Sequence, residues 1–359
     1  MAKKIAIIGT VGLPAKYGGF ETLTSYLTSY LSKDNDITVY CSGKDYEHRL
    51  DHFNGAKLVY LSLNANGIQS IPYDIISVIK ALRYADVLLI LGVSGCVILP
   101  FLKFLHSKKI VVNIDGMEWK REKWSKLAKS FLKMSEKCAV KYADTVITDN
   151  KVIQDYVRSE YAINSELIAY GGDHVEKIDL SSEVLNKYPF LEKPYAFSVC
   201  RIEPENNLHI IIEAMKQQEK IPLFIIGNWE ASQYGIDLRT QYKDYENIHL
   251  LDPIYDQDML NQIRSNCHVY LHGHSAGGTN PSLVEAMSLG LSIFAFGADY
   301  NKETTERCAK YFYNVKELID LVAQTDDESL RSMGIKMGDI ADRRYKWEKI
   351  SKQYSDLLS

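Results

Sequence analysis

Short apolar runs alternate with amphipathic stretches along the whole chain, and this alternation constrains the fold more than any other feature. KIAIIG, ITVYC, KLVYL, DVLLILG, KIVVNID, TVITD and ELIAY read as strands. Residues 19–32, 72–84, 119–142 and 150–159 read as the helices between them. Strands alternating with helices argue for a parallel sheet covered on both faces. The pattern lapses over 171–194, a loop-like stretch with Gly171, Gly172 and two prolines. It then resumes with YAFSVC, PLFIIG, NIHLLD, HVYLHG and LSIFAF, and with helices at 206–218, 256–265, 281–289, 301–308 and 314–323. The 359 residues suit two domains of ordinary size. The expected fold class is therefore α/β, with two doubly wound Rossmann-like domains at 1–175 and 190–340, joined through 171–190.

Composition narrows the function classes. The longest apolar stretch, 87–102, is broken by Gly92, Ser94, Gly95 and Pro100, so no membrane-spanning helix is expected. The N-terminus runs straight into a strand without a cleavage pattern, so no signal peptide is expected. Six scattered cysteines without a CxxC pair fit a reducing, cytoplasmic compartment. The net charge of −4 hides an asymmetry, because residues 103–141 carry 11 basic and 4 acidic side chains. A nucleic-acid binder would carry its basic excess more widely, so no nucleic-acid partner is expected.

Glycine-rich turns follow several strands. GTVGLPAKYGGFETL (9–23) does not complete GxGxxG, which argues against a nicotinamide dehydrogenase. Gly18-Gly19 stands just before a helix, where bare backbone and the helix N-terminus can seat an anion; a plain strand-to-helix turn is the other reading. Arg201 lies just past a strand and can fork onto a phosphate or join an interdomain ion pair. Gly277, Gly278, Thr279 and Asn280 lead into Pro281 and a helix, and the amides over 279–283 read as a second anion seat. Asp34-Asn35-Asp36 spells DxD but reads as a turn. His268, His272 and His274 alternate along one strand without a converging further ligand, so no metal is expected. In 119–141, lysines recur at helical spacing beside tryptophans. This stretch is either a membrane-surface helix or a solvated helix whose Leu127, Phe131 and Met134 pack inward.

In GLPAKYGGFET, NIDGMEWKREKW (113–124), RIEPENN (201–207) and HGHSAGGTNPSLVEAM (272–287), the sequence resembles retaining GT-B glycosyltransferases of the family 4 type, in particular their rhamnosyltransferase-like branch from bacterial polysaccharide biosynthesis. The resemblance implies an acceptor-side first domain and a donor-side second domain facing a cleft, with 341–359 a helix crossing back. It implies a nucleotide-sugar donor, favoured as dTDP-L-rhamnose, as a substrate with no cofactor. Gly18 and Gly19 would close over the diphosphate and Arg201 would neutralise it. Asn206 stands where the family has lysine. Gly278, Thr279, Asn280, Pro281 and Ser282 would cap the phosphates, Glu285 would bind the ribose and His274 would touch the donor sugar. Gly277 stands where the family has a further glutamate, and LLDPIY (250–255) resembles the base-reading turn. The implied reaction is front-face, with a donor phosphate oxygen taking the acceptor proton. Asp115 and Glu118 would orient the acceptor or act as base, although Asp115 also reads as a turn cap before Gly116. The expected acceptor is a lipid-linked saccharide in capsule, O-antigen or cell-wall assembly. The protein would then be cytoplasmic and peripheral, with 119–141 on the inner face of the membrane. The alternatives are a UDP-hexose or UDP-N-acetylhexosamine donor, a GT-B sugar-nucleotide epimerase, or a non-catalytic subunit of a polysaccharide complex.

Overall fold

The computed structural model describes residues 2–359 except 17, 104, 105, 122, 123 and 219. Tyr17 of the first glycine loop and residues 122 and 123 of the basic stretch thus lie outside the described residues. The chain divides into two compact units, Met1–Tyr170 with Trp347–Ser359, and Gly171–Lys346.

The first unit is built on β1 (Lys4–Ile8), β2 (Asp36–Ser42), β3 (His52–Phe53), β4 (Ala56–Leu61), β5 (Val87–Leu91), β6 (Lys109–Asn113), β7 (Thr145–Thr148) and β8 (Glu166–Leu167). Their order is β3-β4-β2-β1-β5-β6-β7-β8, and every pair is parallel except β3 with β4. The second unit holds β9 (Ala196–Val199), β10 (Leu223–Ile226), β11 (Ile248–Leu251), β12 (Val269–His272), β13 (Ile293–Phe296) and β14 (Lys310–Phe312), all parallel in the order β11-β10-β9-β12-β13-β14. Central strands such as Val87–Leu91 are buried at every position, because helices cover both faces. These are two doubly wound Rossmann-like sheets.

Several boundaries differ from the sequence reading. The stretch 171–194 belongs to the second unit and carries helix Ser182–Lys187. The return to the first unit begins at Trp347, not at 341, because helix Asp327–Arg344 packs on helix Pro281–Ser288. That contact is close: a Cβ on Gly334 would sit 2.3 Å from the Gly290 carbonyl oxygen. β3 and β14 escape the pattern, since two and three residues are too few to show a period.

Among the contacts that join helix Trp347–Leu358 to the first unit, two are specific. The Trp347 ring stacks on Tyr26 of helix Gly19–Leu31 at 4.4 Å, and Asn113 Nδ2 at the end of β6 donates to the Tyr354 hydroxyl at 2.9 Å. Trp347 is 2% exposed. Trp347→Ala is therefore expected to cost the first unit about 3–5 kcal/mol, and Tyr354→Phe about 1 kcal/mol. Urea unfolding followed by circular dichroism measures both.

Candidate functional site

In open α/β sheets, ligands bind beyond the carboxyl ends of the strands where the winding reverses. In the second unit that point lies between β9 and β12, so the loops 200–207 and 273–280 emerge side by side. Arg201 is 48% exposed there, and its Nε stands 4.0 Å from Glu203. Asn206 is buried and links the two loops. Its amide donates to the Arg201 carbonyl at 2.6 Å, and its Oδ1 accepts from His274 Nδ1 at 2.7 Å. A side-chain carbonyl can only accept, so this bond places the His274 proton on Nδ1. The expected donor-site role of Asn206 needs correction on this geometry: both ends of its amide are committed inside the protein, and it serves as a strut. Asn301 Nδ2 donates to the His274 carbonyl at 2.7 Å and fixes the loop from the other side. Gly277 has φ +123°, and a Cβ on it would lie 3.0 Å from His274 Nε2. A longer side chain at 277 would collide with that ring.

Helix Pro281–Ser288 begins at Asn280, with Pro281 at its first position. Here the expected anion seat is corrected in part. The Asn280 side chain accepts from Ser282 N–H at 2.9 Å, and the amides of Leu283 and Val284 reach the Asn280 carbonyl. This is ordinary N-capping, and it withdraws Ser282 from the set of open amides. Gly278 and Thr279 are buried just before the cap.

One turn into the helix, Glu285 forms an ion pair with Arg264 and accepts a hydrogen bond from His174 Nε2 at 3.1 Å. Burial raises the Glu285 pKa, but Arg264 and His174 outweigh it and hold the carboxyl below its ordinary range. Arg264 is 2% exposed and also donates to Asn261 Oδ1 at 2.9 Å. Neither Arg264 nor His174 was singled out in the sequence. Both lie far from Glu285 along the chain, in helix Gln257–Ser265 and just after Gly171-Gly172.

The three strand histidines part ways. His268 pairs with Asp327 at 3.6 Å and His274 with Asn206, while His272 is fully buried with no hydrogen-bond partner at Nε2. Among the described residues no three His, Cys, Asp or Glu side chains converge in a metal-binding arrangement.

In the first unit, Gly18 caps helix Gly19–Leu31 at φ +127°, and the space a Cβ would take is filled by the Glu21 carboxylate, 1.9 Å away. Glu21 accepts from Val11 N–H at 2.7 Å and from the Thr10 hydroxyl at 3.0 Å. The glycine loop thus holds an anion of its own, and Val11 N–H is not open to a diphosphate. Gly19 opens the helix beside it.

Asp115 follows β6 at φ +59°, and its N–H donates to Asn113 Oδ1 at 3.0 Å, so the side chain that caps this turn is that of Asn113. Glu118 is bound on both oxygens, by Arg121 at 2.8 Å and by the Trp124 indole N–H at 3.0 Å. It holds the side chains of Arg121 and Trp124 together. The sequence reading missed Asp149, which follows β7 and is buried. Burial, then Asp115, Asp149 and Tyr354, push the Tyr170 hydroxyl well above its ordinary pKa, so these groups share one end of the sheet.

The basic stretch becomes helix Lys126–Tyr142, whose buried face is Leu132, Ser135, Glu136, Ala139 and Val140. Leu127 is 85% and Met134 48% exposed, so these two do not pack inward; Phe131 is half-buried. Lys133 lies over Trp119 at 4.5 Å and over Tyr156 at 4.8 Å, and the Trp119 indole donates to Glu136 at 3.0 Å. Trp119 and Trp124 are therefore both half-buried and hydrogen-bonded within the protein. No helix among the described residues is long and apolar enough to cross a membrane.

Residues 182–324 match the family Glycosyl transferases group 1, and residues 2–173 match a domain of unknown function, DUF1972. With two Rossmann-like sheets, the chain has the GT-B fold and is a transferase, a glycosyltransferase through its second unit. In structure it is similar to a sucrose-phosphate synthase from Thermosynechococcus elongatus, at 15% identity over 99% of this chain and 98% of that one, with TM-score 0.84. It is also similar to Anabaena HepE in complex with UDP-glucose, at 15% identity over 99% of both chains and TM-score 0.78. A trehalose 6-phosphate synthase from Burkholderia multivorans aligns at 10% identity over 100% of this chain and 96% of that one, with TM-score 0.71. No curated protein matches the sequence.

Burial pushes the His272 pKa from 6.5 down to about 3. The unfolded chain takes up this proton below about pH 6.5, and the folded chain refuses it until about pH 3. Any stability linked to His272 is thus complete above pH 6.5 and lost as pH falls toward 3. His272→Asn is expected to lose less stability than the wild type between pH 7 and 4, as read by urea midpoints across that range.

Proposed function

We propose that the protein transfers a sugar with retention from a nucleotide-sugar donor, dTDP-L-rhamnose in the favoured reading, onto a lipid-linked saccharide acceptor in bacterial polysaccharide assembly. The observation that carries this reading is Glu285, ionised and oriented by Arg264 and His174 at the switch point of a glycosyltransferase group 1 domain. Such a carboxylate accepts a charge-assisted hydrogen bond from a hydroxyl of the nucleotide's pentose, which in dTDP is the 3′-hydroxyl alone. Arg201, half exposed at the end of β9, is proposed to neutralise the diphosphate, together with backbone N–H groups near Gly278 and Thr279. Since Asn206 is neutral and committed internally, Arg201 carries more of this charge than it would beside a lysine. In the proposed step the acceptor oxygen bonds to the anomeric carbon as the bond to the diphosphate oxygen breaks, and the acceptor proton passes to a donor phosphate oxygen. Asp115, supported by Asp149 nearby, is proposed to orient the acceptor. Glu118 is proposed to act indirectly, through the Arg121 and Trp124 side chains it holds.

A second donor reading has its own support: Anabaena HepE binds UDP-glucose, which favours a UDP-hexose. The acceptor reading draws on the exposed Leu127 and Met134 beside Lys126, Lys137 and Lys141, a stripe suited to an anionic membrane surface and thus to the inner face of the cytoplasmic membrane.

Thermal unfolding with dTDP, UDP, GDP and their sugars, with and without magnesium, tests the donor, because a ligand of the folded state raises the midpoint. The account expects stabilisation by dTDP and dTDP-L-rhamnose without metal; stabilisation by UDP compounds alone replaces the sugar, and no shift with any nucleotide contradicts the reading. Arg201→Ala is expected to lower transfer by about 10²-fold or more while leaving the fold intact. Full activity in that variant refutes the assignment.

A further inference from the structure

Three helices of the first unit share one side of its sheet. Helix Ser70–Ala81 leads from β4 to β5, helix Leu99–Leu102 from β5 to β6, and helix Lys126–Tyr142 from β6 to β7. All three steps cross the sheet in the same direction, so right-handed connections bring these helices to the same side. Helix Gly19–Leu31 steps from β1 to β2 in the opposite direction and covers the other side, where Tyr26 meets Trp347. The turn 95–98 lies between the two longer helices of the shared side. A Cβ on Gly95 would come within 2.4 Å of Asp74 Cβ, and Val97 N–H donates to Ser135 Oγ at 3.1 Å.

The outward positions of these helices follow helical spacing. Ile76, Ile79 and Lys80 are exposed on the first, and Leu127, Met134, Lys137 and Lys141 on the third. Phe101, 72% exposed, stands on the short helix between them. Charge is sorted in the same way. The acidic residues of the three helices, Asp74 and Glu136, are 4% and 1% exposed, while their lysines face water. The next helix, Lys151–Tyr161, exposes Asp155 and Glu160 beside Lys151 and Arg158, and Lys133 turns toward Glu160 at 3.0 Å. The uniform charge ends there. Exposed large apolar side chains set among lysines match an anionic bilayer, whose headgroups take the charge and whose interface takes the apolar groups. A nucleic acid would pair with the lysines and leave those apolar side chains in water.

We propose that the outer faces of these three helices form one docking surface for an anionic bilayer, with Ile76, Ile79 and Phe101 entering the headgroup region beside Leu127 and Met134. The proposal rests on the membrane reading given above and extends it from one helix to three, so that 76–101 is needed as much as 126–141. It is independent of which sugar is transferred.

Retention of the full chain on phosphatidylcholine vesicles with and without phosphatidylglycerol tests this, with thermal midpoints confirming that each variant is folded. Wild-type protein is expected to be retained, and more strongly when phosphatidylglycerol is present. Lys80→Gln, which removes one exposed charge, is expected to weaken retention on phosphatidylglycerol vesicles about five-fold. Ile79→Ser/Phe101→Ser and Leu127→Ser/Met134→Ser are each expected to weaken it about ten-fold or more. The inference is overturned if Leu127→Ser/Met134→Ser alone weakens retention; the single-helix membrane reading then stands. It is also overturned if phosphatidylglycerol makes no difference to the wild type. Wild-type protein retained on neither vesicle overturns the inference and the membrane reading together. If light scattering then shows a dimer that Ile79→Ser/Phe101→Ser returns to monomer, the face belongs to a second copy of the chain.

Discussion

The second unit depends on the ion pair between Glu285 and Arg264. An arginine with 2% of its side chain exposed needs a counter-charge, and removing one partner of such a pair typically costs about 3–5 kcal/mol. Glu285 supplies the charge from helix Pro281–Ser288, Arg264 comes from helix Gln257–Ser265, and His174 comes from the segment that opens the unit. Three distant stretches of chain are thus tied at one carboxylate, beside the loops of the switch point. The same contacts orient the carboxylate before any ligand arrives, and a preoriented acceptor loses little on binding.

Elsewhere, groups that look ready for an anion are satisfied by the chain itself. Glu21 fills the glycine loop and takes Val11 N–H, and Asn280 takes the Ser282 amide. Both arrangements obey the rule that buried backbone donors find partners. They concentrate phosphate binding on fewer groups, of which Arg201 carries the only full positive charge among the residues assigned to the donor. The neutral Asn206–His274 pair stiffens the loops around it without adding charge.

Both sheets were legible because their central strands are mostly apolar and their helices long enough to show a period. β3, β14 and helix Ser182–Lys187 were too short to do so. Site residues at strand ends, such as Arg201 and Glu285, stood out by their place after a strand or a glycine turn. Arg264 and Asp149 did not, because an arginine within an amphipathic helix and an aspartate after a strand look ordinary until tertiary packing brings a partner. The internal use of Asn206, Glu118 and Glu21 was hidden for the same reason: each is satisfied by a residue that only the folded backbone places within reach. Charge counting drew attention to 119–141, yet the fold engages Trp119, Trp124 and Lys133 in contacts within the protein and exposes Leu127 and Met134.

The central claim is that the carboxylate held by Arg264 and His174 reads the sugar of a nucleoside diphosphate. Calorimetric titration of the protein with dTDP and with 2′,3′-dideoxythymidine diphosphate tests it most directly. Loss of a charged hydrogen bond is worth about 1.5–3 kcal/mol, so dTDP is predicted to bind roughly 10- to 100-fold more tightly than the dideoxy compound. The difference should vanish in Glu285→Gln. Equal affinity of the two compounds for the wild-type protein would contradict the account.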